Sequence, residues 1–137
     1  MKPRALSDAE RWLTQARNDL RDARGLADKL SSHATACFHA QQSAEKALKA
    51  VLIALGEEPW GHAVGVLLQG VSAFLEVPAE VMAGAQLDQY YIPTRYPNGL
   101  PGGVADDVYS ERESSSAIAL AETVLQFATE QIQERPS

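Results

Sequence analysis

A chain of 137 residues is long enough to bury a core without disulfide or metal support, and a single domain over 1–137 is expected. One cysteine excludes an internal disulfide, and a formal net charge of −6 argues against generic nucleic-acid binding, which leaves a basic footprint. Met1 to Leu13 is polar and mixed in charge, and no apolar run approaches ~20 residues, so a cytoplasmic protein without signal peptide or membrane span is expected.

Ser7 and Glu10 have the S-x-x-E spacing of a capping box. Ala9, Trp12, Leu13, Ala16, Leu20, Ala23, Ala27 and Leu30 follow at helical steps, which predicts a helix over 8–30 with Trp12 as a core anchor. Ser31 or Ser32 can cap the next helix, predicted over 33–55. Its stripe is Cys37, Ala40, Ala44, Ala47, Leu48, Val51, Leu52 and Leu55, and its alanines let neighbouring helices approach closely. A second, mixed face carries Phe38, Gln42, Lys46, Lys49 and Ile53, a pattern that suits a partner surface or ligand wall. Gln41 sits at the edge of the stripe, so its amide needs a partner. Gly56 and Pro59 stop this helix. Val64, Leu67, Leu68, Val71, Phe74 and Leu75 predict a third helix over 62–76, and Pro78 opens a fourth that reaches Tyr90 or Tyr91.

Residues 92–110 then carry three prolines and three glycines, which predicts a long irregular loop. Ser110 and Glu113 repeat the S-x-x-E box before a last helix ending near Gln133. The expected fold is therefore all-α, with five helices and an irregular loop before the last one.

The loop is introduced by three tyrosines and one arginine in seven residues: Tyr90, Tyr91, Arg95 and Tyr96. An arginine fork grips carboxylate or phosphate, and tyrosines offer flat faces and hydroxyls. The alternative is that the tyrosines fix the loop to the bundle and Arg95 pairs with Asp88. Cys37 lies on the apolar stripe and reads as a small buried hydrophobe. His33, His39 and His62 lack metal-ligand spacing, and no metal or phosphate-loop motif occurs, so no metal or cofactor is expected.

The segments E-R-W-L-T-Q-A-R-N-D-L, C-F-H-A-Q-Q-S-A-E-K-A-L-K-A, Gly61-His62 and Y-Y-I-P-T-R-Y-P together resemble the HEPN family, in a subgroup with a Y-x-P-T-R-Y-P loop. The resemblance implies an up-and-down five-helix bundle that dimerises and associates with nucleotide or RNA. It also implies a small nucleotidyltransferase as a partner, in a toxin–antitoxin-like pair. Catalytic relatives are metal-independent ribonucleases with the motif R-x(4 to 6)-H. Here Arg95 supplies the arginine, but the histidine positions hold Leu100, Pro101 and Gly102, and no histidine follows His62. No catalytic residue is therefore assigned, and RNA is the less favoured ligand.

Two expectations follow. A homodimer pairs Phe38, Gln42 and Ile53 across a two-fold axis. A nucleotide sits between the second helix and the loop, with Lys46, Lys49 and Arg95 on phosphate, Tyr91 and Tyr96 stacking on a base, and Gln42 bonding its edge. The alternative pairs Lys46 and Lys49 with Gln42, Glu45 or solvent. A metal-independent ribonuclease using other groups is the alternative function.

Overall fold

The computed structural model describes residues 3–91, 94, 96, 99–105 and 108–133. Among them the elements are all helical: α1 (Pro3–Leu30), α2 (His33–Ala54), α3 (Val64–Ser72), α4 (Ala79–Met82), a 3-10 helix (Ala83–Tyr90) and α5 (Glu111–Gln133). The long helices α1, α2 and α5 pack on one another, and α3 and the 3-10 helix cover the rest of α2.

The alanines of α2 do what small side chains allow. Ala36, Ala40, Ala44, Ala47, Ala50 and Ala54 are buried, alongside Ala9, Ala16 and Ala23 of α1 and Ala117, Ala121 and Ala128 of α5. Helix axes can come close where no long side chain intervenes. The buried Ser43 hydroxyl donates to the Ala16 carbonyl at 2.7 Å and ties α2 to the backbone of α1. Larger residues fill the remaining space: Leu13, Leu48, Leu67, Leu68 and Leu87 are fully buried, each stabilising the fold by about 2 kcal/mol.

Helix α2 ends in a Schellman motif. Gly56, at φ +83°, donates to Ile53 O at 2.9 Å, and Glu57 N–H donates to Leu52 O at 2.9 Å. The Ser110–Glu113 box also forms: Ser110 N–H donates to Glu113 Oε2 at 2.7 Å, and the Ser110 hydroxyl donates to the same oxygen. The hydroxyl and then the backbone N–H of Ser110 hold the Glu113 carboxyl below its usual pKa.

The structure departs from the sequence reading in all four of the helices before the loop. Helix α1 starts at Pro3, so Ser7 lies inside it; Leu6 packs on the core and extends the apolar stripe upstream. Ser32 stands at the N-cap of α2 without a side-chain cap hydrogen bond. Helix α3 covers only Val64–Ser72, and Phe74, expected in the core, lies in the turn beyond it, in step with the exposed Val66, and is 53 % exposed. The fourth helix is a single α turn that tightens into the 3-10 helix. Gly84 lies in that tight stretch, where an added Cβ would stand 2.6 Å from Val124 Cγ2 of α5.

The N-terminus of α3 is capped from a distance. Asp88, in the 3-10 helix, accepts from Val64 N–H at 2.7 Å and from Gly65 N–H at 2.9 Å. It therefore satisfies two donors that no α3 residue can reach. Asp88→Ala is expected to destabilise the protein by about 1–2 kcal/mol, read as a lower urea midpoint, whereas Asp88→Asn loses less.

Candidate functional site

Most of α2 is buried, but Phe38, Gln42, Lys46 and Ile53 remain only half-buried. Their steps of four, four and seven place them on one line along the helix. The face expected from the sequence is present, with Lys49 beside it and buried.

The charges on this face have partners within the chain. Lys46 Nζ lies 2.7 Å from Asp19 Oδ2 of α1, and Gln15 Nε2 donates to Asp19 Oδ1 at 3.0 Å. Lys49 Nζ lies 3.1 Å from Glu45 Oε2 and 5.7 Å from the centre of the Trp12 ring. Glu45 is buried and shared further: Gln42 Nε2 donates to its Oε1 at 3.3 Å, and His62 Nδ1 is 3.3 Å from its Oε2. Gln41 is fully buried; its amide donates to His62 O at 2.9 Å and its carbonyl accepts from Gln42 at 2.7 Å. The partner that Gln41 requires is thus the chain just before α3.

Toward the N-terminal half of α2 the face becomes aromatic. The His62 ring stacks on Tyr91 with centroids 5.5 Å apart and planes at 15°. Tyr91 in turn lies 6.0 Å from Phe38. Toward the C-terminal half lies an open groove of about 970 Å³. Asp8, Arg11, Trp12 and Gln15 of α1 form one wall, Lys46, Lys49 and Ile53 of α2 the other, and Glu57, Glu58 and Pro59 close the end. Trp12 is half-buried, packing on the core while forming this wall. Arg11 lies 3.9 Å from Asp8, so each cation of the groove has a carboxylate within ion-pair distance. The groove is charge-balanced rather than cationic.

The structure therefore divides the residues expected to hold a nucleotide. Tyr91 meets Phe38 at the aromatic end, Gln42 lies one turn after Phe38 and bonds Gln41 and Glu45, and Lys46 and Lys49 line the groove. Tyr96 is exposed, and Arg95 lies outside the described residues. Tyr90 is a loop anchor: it is buried and meets Tyr109 edge-on at 5.6 Å, and burial, then Cys37 and Glu113, push its hydroxyl up to about 12. Asp88 is taken by the α3 amides. The Asp19–Lys46 pair escaped the sequence reading because it joins positions 27 residues apart.

Cys37 is buried, and burial followed by Glu113 pushes its thiol up to about 12. It is protonated at neutral pH and offers no nucleophile. His33 Nδ1 lies 2.9 Å from the Ser114 hydroxyl. Among the described residues no cluster of His, Cys, Asp or Glu could hold a metal ion, and no helix is long and apolar enough to cross a membrane.

An all-helical bundle with a central alanine-lined helix and a polar network on one face is the class that these features define. The chain belongs to the HEPN family: the HEPN domain model matches residues 9–132. TT1696 from Thermus thermophilus is 44 % identical, with 90 % of this chain and 97 % of that one covered and a TM-score of 0.86. An archaeal HEPN homologue, ST0689, is 35 % identical over 90 % of this chain and 97 % of its own, with a TM-score of 0.76. An HEPN domain protein from Thermotoga maritima is 28 % identical over 96 % and 99 %, with a TM-score of 0.60. Comparison with curated proteins gives no match.

Two outcomes test this geometry. Glu45→Ala strands the buried Lys49 ammonium and is expected to cost about 3 kcal/mol in urea unfolding at fixed protein concentration, part of which Lys49→Met in the same chain restores. The Cys37 thiol is expected to resist a thiol reagent at pH 8 and to react at once in denaturant; rapid modification of the folded protein would contradict its burial.

Proposed function

We propose that this protein is a non-catalytic HEPN homodimer that binds a nucleotide or a protein partner, with the half-buried line of α2 at the two-fold axis. One observation carries the reading: the polar groups of that face are already matched inside one protomer. Lys46 holds Asp19, and Lys49 holds Glu45. Covering a charge costs several kcal/mol unless it is paired. A face with internal partners can therefore lose its water without leaving bare ions. Phe38, Gln42 and Ile53 meet their own copies in such a pairing.

The ligand seat is the aromatic end, where Tyr91 and Gln42 lie close to the start of the loop that carries Arg95 and Tyr96. Lys46 and Lys49 reach a phosphate only by releasing Asp19 and Glu45, so they play a secondary part. The Y-x-P-T-R-Y-P loop is the mark of the subgroup, and a minimal nucleotidyltransferase is the protein partner that the family resemblance suggests. The missing histidine after Arg95 supports a binding role over cleavage. Ribonuclease activity stands as a second reading on one feature: His62 is an exposed imidazole with the buried Glu45 carboxylate behind Nδ1.

Light scattering at micromolar concentration is expected to give twice the monomer mass, and Phe38→Asp with Ile53→Asp to give the monomer. Calorimetry with ATP, GTP and short RNA is expected to show a nucleotide binding more tightly than millimolar, a scale of about 4 kcal/mol. Arg95→Ala should weaken that binding. Metal-free RNA cleavage lost in His62→Ala would favour the second reading instead.

A further inference from the structure

A separate surface lies on α3. Trp60, Val66 and Phe74 are 76 %, 65 % and 53 % exposed. Val66, Gly70 and Phe74 recur every four residues along α3 and the turn after it, so they present one outward strip. With Trp60 they border a hollow of about 200 Å³. Gly70 keeps its floor open, because no side chain there covers Leu52, whose methyl lies 3.7 Å from where a Cβ would be. Glu57 and Glu58 form the rest of the rim.

The charge lining the hollow has one sign. From Ala50 to Thr94 the sequence contains no lysine or arginine. Its acids are Glu57, Glu58, Glu76, Glu80 and Asp88, and Asp88 is occupied by the α3 amides. The four glutamates are exposed. The charged groups lining the hollow itself are Glu57 and Glu58, which also close the end of the groove between α1 and α2, so large apolar side chains held in water there meet a negative edge.

We propose that this hollow docks a basic amphipathic helix of another protein, with one large apolar side chain seated between Trp60, Val66 and Phe74 and lysines or arginines against Glu57 and Glu58. The hollow has room for a single bulky side chain, as a helix-in-groove anchor requires. A second copy of this chain paired here by a two-fold axis brings like carboxylates together, and a nucleic acid meets the same repulsion. The groove beside α2 shares Glu57 and Glu58 with this hollow, but Val66 and Phe74 take no part in the dimer reading, so their variants test the docking separately.

The test uses the full chain and two synthetic helical peptides of one design, with leucines at i and i+4 and flanks of either lysine or glutamate. Binding is followed by calorimetry and by tryptophan emission, with Trp60→Phe measured in parallel to separate Trp60 from Trp12. The lysine peptide is expected to bind, to weaken as salt is raised, and to blue-shift the emission, while the glutamate peptide does not bind. Val66→Asp and Phe74→Asp, exposed positions that leave the fold intact by circular dichroism, should each weaken binding by about tenfold. Glu57→Lys with Glu58→Lys should reverse the preference between the peptides. Equal binding of both peptides, binding of neither, or unchanged affinity in Val66→Asp would overturn the proposal. So would a change in light-scattering mass for Val66→Asp, which would assign the strip to self-association.

Discussion

Enclosing one helix on most of its circumference limits what that helix can carry. Around α2 the limit is met with alanine at the contacts with α1 and α5, so three helices approach without displacing one another. Small side chains bury little area, so the larger buried residues, the leucines of α1, α2, α3 and the 3-10 helix together with Val124, Phe127 and Ile132 of α5, carry more of the hydrophobic stabilisation per residue. The same enclosure makes every polar atom on α2 expensive unless it is bonded. Ser43 turns to the Ala16 carbonyl and Gln41 to the His62 carbonyl, and each bond fixes a neighbouring segment against α2.

The ionic residues obey the same rule, and this shapes the function. Glu45 gathers Lys49, His62 and Gln42 around one buried carboxylate, so the chain entering α3, the wall of the groove and the aromatic end are held by one group. A phosphate arriving at Lys46 or Lys49 competes with carboxylates already in contact. A protein surface arriving at the same place finds charges already neutralised. That contrast supports the proposal of an interface on the α2 face.

Helical periodicity made the long elements legible, because buried residues at steps of three and four leave few alternatives. The requirement that Gln41 find a partner was also legible, since a buried amide needs one wherever it points. Its partner was not, and neither was the Asp19–Lys46 pair, because both depend on which helices become neighbours. The Ser7 box failed as a start signal because Leu6 continues the stripe before it, and packing outweighs a local cap. The 3-10 helix was read as α because Val81, Met82, Ala85 and Leu87 fit either period over so short a span. Of the expected ligand residues, Gln42 and Tyr91 come to one end of the face and the two lysines to the other. Arg95 lies outside the described residues.

Asp88 gives the small half of the bundle a property beyond its two hydrogen bonds. Its carboxylate belongs to the segment that ends in Tyr90 and leads into the tyrosine-rich loop, yet it completes the first turn of α3. One carboxylate therefore holds the 3-10 helix to the first turn of α3, and the segment before Tyr91 cannot draw away from α3 without baring two of its amides.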